Sequence, residues 1–239
     1  MARAIGFSRN LTLIWLNKAA ELFRNNLSEA EYKNHLTDYL SYEIKSPINI
    51  RKTREILMHI WFYREDDQIN HMREQAAQLI NKYPDYDMAI HWGMLLLVYP
   101  VFRDLCHIIG RMTEFSDAIT LRQLKQKLYD EWGERITLYH STDKIIATMK
   151  DLTAITAEKP GKYKIITHDV KNEKIVIFLV RAAMMSNGNI FFKLNDLSSL
   201  EVLYPFHYEI KRESCSIDNQ FVVSNFSGEW TVSVSERPA

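Results

Sequence analysis

From Leu11 to Met112 the apolar side chains return every three or four residues almost without a break, a periodicity that only a succession of helices satisfies. Leu11, Ile14, Trp15, Ala19, Leu22 and Phe23 form the first stripe, and Asn25-Asn26 stops it. Ser28 with Glu31 three residues on is a capping box, opening a helix that presents Tyr32, Leu36, Tyr39 and Leu40. Ser46-Pro47 interrupts the pattern, because the residue before a proline is pushed out of helical geometry. Asn49 then reads as the cap of a third helix carrying Ile56, Leu57, Ile60 and Trp61. Further helices are expected over residues 71–82, 87–99 and 101–112. Pro100 sits either in the first turn of the last one or at a kink in one longer helix.

Two apolar runs invite comparison with membrane spans. Residues 89–102 fall short of the roughly 20 that a span needs and include His91 and Pro100; residues 175–185 are interrupted by Arg181. Both read as buried helices of a soluble protein, with no membrane partner. No stretch of signal-peptide length follows Arg3 and Arg9. Cys106 and Cys215 are too few for a disulfide framework, which points to a reduced, cytoplasmic chain.

After Phe115 the pattern changes. Thr120 can cap a helix whose inward face is Leu121, Leu124, Leu128 and Trp132, ending at Gly133. A short segment, residues 134–140, leads to Ser141-Thr142, read as an N-cap pair for a helix with Ile145, Ile146, Met149 and Leu152 on one side. Pro160-Gly161 then suits the centre of a type II turn between two β-prone stretches. Helix, turn, helix, hairpin is the order of a winged helix-turn-helix. Beyond it lie an apolar helix ended by Ser186-Asn187-Gly188, a short helix over residues 196–203, and a β-hairpin around Ser227-Gly228. The expected fold is therefore mainly α: a helical bundle over 1–115, a winged helix-turn-helix over 116–170, and a C-terminal α+β segment over 171–239 that can be a second, degenerate winged unit.

Chemistry-bearing motifs are sparse. The eight histidines show no metal-ligand spacing, no Gly-x-Ser-x-Gly elbow appears, and no glycine-rich loop cradles a phosphate. Neither a metal nor a cofactor is expected. Asp196 with Glu209-Ile210-Lys211 mimics the Asp…Glu-x-Lys set of metal-dependent nucleases, but Glu43-Ile44-Lys45 repeats the tripeptide in a helical context. A nuclease is thus an alternative, and the main expectation is a protein without catalytic activity.

Nucleic-acid binding has more support. Thirty basic residues balance thirty acidic ones, so any electrostatic preference must be regional. Residues 144–174 hold seven lysines against four acidic residues. Lys144 and Lys150 lie off the apolar face of their helix, Lys159, Lys162 and Lys164 bracket the turn, and Ser141, Thr142 and Thr148 offer hydroxyls. Together they suit a helix in the major groove of double-stranded DNA and a wing on the phosphates. Arg51, Lys52 and Arg54 form a second cluster at the start of the third helix, where cations oppose the helix dipole; either an external phosphate or Glu55 can compensate them. The competing reading makes the winged unit a protein-docking module.

The chain resembles the BrxA-type proteins of bacterial BREX phage-exclusion systems over about residues 9–155. The likeness runs through the opening helix Leu11 to Phe23, Ser46-Pro-Ile-Asn-Ile-Arg-Lys-Thr-Arg-Glu55, Tyr99-Pro-Val-Phe-Arg-Asp104, Ile119-Thr120 to Glu131-Trp132, and Ser141-Thr-Asp-Lys144 to Met149-Lys-Asp-Leu152. The resemblance implies a small, mainly helical DNA-binding protein without catalytic activity, working beside a methyltransferase and other phage-defence proteins. It places DNA contacts at Arg51, Lys52, Arg54, Lys144 and Lys150.

Overall fold

Local capping chemistry decides where most of the helices begin. A computed structural model describes residues 4–64, 66–116, 118–215, 220–226 and 228–235. Helix α1 (Leu13–Arg24) starts on Thr12. Helix α2 (Glu29–Ser41) opens on the expected box: the Ser28 hydroxyl accepts from the Glu31 N–H, and the Glu31 carboxylate accepts from the Ser28 N–H. Helix α3 (Pro47–Trp61) corrects the sequence reading. Its cap is Ser46, whose hydroxyl accepts from the Asn49 N–H, and Asn49 is the third helical residue. Proline is favoured at the first helical position because an N–H there has no helical partner anyway, so the helix begins three residues earlier than expected.

Helix α4 (Asp67–Lys82) also starts early, on the Asp66 side chain. Helices α5 (Asp87–Val98) and α6 (Pro100–Thr113) are separate, with Pro100 at the first position of α6 and a bend of 115° between them. No single helix among the described residues is long and apolar enough to cross a membrane.

A strand, two helices and a hairpin follow: β1 (Ala118–Thr120), α7 (Leu121–Trp132), α8 (Ile136–Asp151), β2 (Ile155–Lys159) and β3 (Lys162–Ile165). Thr120 caps α7, and Gly133 ends it at φ +78°. The three strands are antiparallel in the order β1-β3-β2. Gly161 adopts φ +76° in the turn between β2 and β3, a conformation that carries no steric penalty for glycine.

The remainder mixes small elements around one long helix. After β4 (His168–Val170), α9 (Glu173–Asn187) is capped by Asn172 and closed by Gly188. Strand β5 (Phe192–Lys193) leads to 3-10 turns over Leu194–Ser199 and Glu201–Leu203, where a short helix was expected. Strand β6 (Phe206–Tyr208) pairs in parallel with β4. A one-turn α10 (Arg212–Cys215) precedes the hairpin of β7 (Phe221–Phe226) and β8 (Glu229–Val234), and β5 joins it in the order β5-β8-β7. Of the expected Ser227-Gly228 turn, Ser227 lies outside the described residues; Gly228 adopts φ +87°.

The core is continuous across these parts. Residues Met88 to Leu96 of α5 are buried around the whole helix, and α9 covers one side of it. At Gly93 an added Cβ would lie 2.7 Å from the Phe178 ring, and at Gly110 of α6 it would collide with the Glu201 carbonyl oxygen. The Trp92 Nε1–H donates to the Val202 carbonyl, 2.9 Å away. C-terminal and N-terminal residues thus share one hydrophobic cluster.

Candidate nucleic-acid interface

Helix α8 begins five residues before the expected caps, and this changes which side chains it exposes. Its N-cap, Arg135, makes no side-chain capping bond, and the first turn holds no acidic residue. Leu138, Ile145, Ile146 and Met149 face the core. That phase turns Thr137, His140 and Lys144 to the other side at helical spacing; Thr137 and His140 are exposed and Lys144 half-buried. Ile136 and Tyr139, 72% and 43% exposed, stand at the same tip. Sequence reading missed all of these except Lys144. The periodicity of the apolar face, extended back to Leu138, would have found them.

Ser141, Thr142 and Thr148 are corrections. All three lie inside α8 and are buried, so they do not cap a helix or face a groove. The Thr142 hydroxyl donates to the Leu138 carbonyl, the back-bonding pattern of threonine within a helix. Thr148 donates likewise to the Lys144 carbonyl and accepts from the Leu11 N–H at 2.8 Å. Lys125 of α7 is buried against α8, its Nζ 2.6 Å from Asp143 and 3.2 Å from the centre of the Tyr139 ring. That pair locks α7 to α8 and leaves Lys144 and Lys150 as the free cations of α8 among the described residues.

The hairpin tip is less cationic than its lysines suggest. Glu158 sits 2.7 Å from Lys162 and 3.3 Å from Lys164, and hydrogen bonds from those two ammonium groups hold its carboxyl below the usual carboxylate range. Lys159 is exposed and has no ion pair among the described residues.

In α3 the cluster divides. Arg54 is committed to structure: it donates to Glu55 at 2.8 Å and to the Thr37 hydroxyl at 2.9 Å, and Glu55 also accepts from the Tyr63 hydroxyl. Arg51 and Lys52 are exposed and line a cleft of about 910 Å³ floored by Ile56 and Tyr99. With Ser46 as the cap, Arg51 is the fifth helical residue, beyond the first turn where the dipole acts most strongly.

A short stretch joins the two basic regions. The Arg9 guanidinium donates to Asn49 of α3, while the N–H groups of Leu11 and Leu13 donate to Thr148 and Asp151 of α8. Two residues span at most about 7 Å, so the start of α3 and the second half of α8 are close neighbours.

The chain matches no family model, no curated protein and no solved structure.

The nuclease-like set is not brought together. Glu209 and Lys211 follow β6 and line a groove with Asp169 and His207, whereas Asp196 sits on the Leu194–Ser199 turn and is not part of that lining. Among the described residues no three His, Cys, Asp or Glu side chains converge as metal ligands. Buried His91 bonds through Nε2 to Asn17, and burial pushes its pKa down to about 3. Burial likewise pushes the Cys106 thiol well above its ordinary value.

Proposed function

We propose that the protein binds double-stranded DNA without catalysing a reaction, and that β1 to β3 with α7 and α8 form a winged helix-turn-helix. Strand order β1-β3-β2 around two helices supports this reading. The observation that carries it is the open, carboxylate-free first turn of α8. Unpaired N–H groups and the helix dipole favour a phosphate there, while Thr137, His140 and Lys144 are spaced to reach base edges in the major groove. Lys159 takes a backbone phosphate at the wing. Lys150, Arg51 and Lys52 extend the contact along the duplex, whereas Arg54, Ser141, Thr142 and Thr148 are left out. The likeness to BrxA-type proteins sets this binding beside other phage-defence proteins in the cytoplasm.

Exposed Ile136 and Tyr139 at the tip of α8, with the carboxylate of Glu158 on the hairpin, favour a second reading in which the same face docks a protein. Equilibrium binding of a short duplex across about 50 to 200 mM salt separates the two, because counterion release gives a log–log slope of about −0.9 per phosphate contact. These five cations predict a slope of about −4 to −5. A duplex that is not retained even at the low end supports the docking reading instead.

A further inference from the structure

Among the described residues two that are not glycine hold a positive φ, Asn26 at +50° and Thr153 at +57°. Asparagine visits the left-handed region with its short polar side chain, whereas a β-branched residue there is an outlier. The penalty is a factor of about 5 to 30 in the folding equilibrium. Helices α7 and α9 end on glycine, Gly133 and Gly188, both at positive φ. Helix α8 ends on Leu152 with Thr153 next, where the chain passes from α8 into β2. Such strain persists only where the surroundings over-determine the backbone.

Those surroundings come from two directions. The Thr153 N–H donates to the Lys150 carbonyl at 3.1 Å and the Ala154 N–H to the Met149 carbonyl at 2.9 Å, which closes the last turn of α8. From the other side His168 places its Nε2 at 2.9 Å from the Thr153 carbonyl oxygen and 3.4 Å from the Thr153 hydroxyl. A carbonyl only accepts, so Nε2 carries the proton. His168 is itself seated on the C-terminal segment: its N–H donates to the Pro205 carbonyl at 2.8 Å, and it pairs with Phe206 in the parallel ladder of β4 and β6. Tyr204, beside Pro205, donates to Met149 Sδ of α8 at 3.5 Å.

What this junction controls is β2. It is the edge strand of its sheet, bonded to β3 alone, with a bulge between Ala157 and Lys159 and every residue after Ile155 exposed. Strand β3 is also held by β1. An exposed edge with few buried contacts opens more readily than the rest of a fold.

We propose that Thr153 is a strained hinge and His168 its latch, a conformational device through which β6 of the C-terminal segment holds β2 in its sheet. With the latch closed, Thr153 keeps its left-handed conformation and β2 stays paired. With it open, Thr153 relaxes and β2 leaves β3 while β1 and β3 remain together. The latch operates whether or not the hairpin meets DNA.

The test is amide hydrogen exchange of the intact protein, read residue by residue by NMR, with urea unfolding beside it. His168→Ala should speed exchange in the β2–β3 ladder by about fivefold or more, the worth of one hydrogen bond, and leave the amides of the β1–β3 ladder and of α5 unchanged. His168→Gln keeps a side-chain N–H donor and should exchange like wild type. Adding Thr153→Gly to His168→Ala should restore slow exchange, because glycine holds a positive φ without a latch. Thr153→Gly alone should raise the folding equilibrium constant by about fivefold. Wild-type exchange in His168→Ala, equal acceleration of all amides, no rescue by Thr153→Gly, or a Thr153→Gly protein less stable than wild type would each overturn the proposal.

Discussion

The two three-stranded sheets share one plan but present different surfaces. In each, the first strand pairs with the third, in the orders β1-β3-β2 and β5-β8-β7, and each sheet follows a long core helix, α6 or α9. Between first and second strands the earlier unit places α7 and α8, of 12 and 16 residues. The later unit has two 3-10 turns, β6 and the four-residue α10 in that place. A hairpin needs only alternation and a turn glycine, and both units have these. A helix pair needs two sustained apolar stripes. Leu124, Leu128 and Trp132 with Leu138, Ile145 and Met149 supply them in the first unit. The second has Leu197, Val202 and Leu203 around short turns, and the turn holding Val202 and Leu203 packs onto Trp92 and α6. One unit therefore leaves a long helix end exposed, and the other is built into the scaffold.

Disrupting the scaffold side should have the largest effect. Gly110→Ala puts a Cβ where the Glu201 backbone already lies, and a backbone neighbour cannot rotate away. The expected loss is about 3 kcal/mol of stability in urea unfolding, the upper end for overpacking. A smaller loss would mean that the second unit sits more loosely on α6 than the shared core implies.

Acid should act on the same scaffold through His91 of α5. Its folded pKa of about 3 lies below the ordinary value of 6.5, so between those limits the unfolded chain binds one proton more than the folded one. Stability from this group is complete above pH 6.5 and falls by about 1.4 kcal/mol per pH unit on acidification toward pH 3. Unfolding curves of wild type and His91→Gln between pH 7 and about 4 should differ by that slope; parallel curves would remove His91 from the acid response.

How much of this was legible in the sequence depended on the range of the signal. The Ser28–Glu31 box, Thr120 and Gly133 around α7, and Pro160-Gly161 are local, and each appears where the sequence puts it. Ser141-Thr142 misled because a hydroxyl residue suits a helix cap and also a back-bond to the carbonyl four residues earlier. Only burial of Leu138 distinguishes the two. Ser46 was readable in principle, since Pro47 fits the first position of a helix. The parallel β4–β6 pair joins residues across the whole of α9 and leaves no local trace. Arg181 registered only as an interruption of an apolar run; that its guanidinium is buried against Gln220 emerges only from the packing.

On the interface side a smaller change should run in the favourable direction. Glu158→Gln removes the carboxylate that engages Lys162 and Lys164, freeing both for phosphates. DNA affinity should rise by about threefold at low salt and by less at high salt, as screening shortens the reach of each charge. Weaker binding would instead make Glu158 a positioning group for the hairpin.

The contrast between the units is tested most directly by charge reversal in each. Lys144 lies on the outward face of α8, and Lys211 is exposed just before α10, at the comparable place in the second unit. In duplex titrations at about 100 mM salt, Lys144→Glu should cost about tenfold or more in affinity, and Lys211→Glu should stay within about twofold of wild type. Equal losses from the two substitutions, or a loss confined to Lys211→Glu, would contradict the assignment of DNA binding to the first unit.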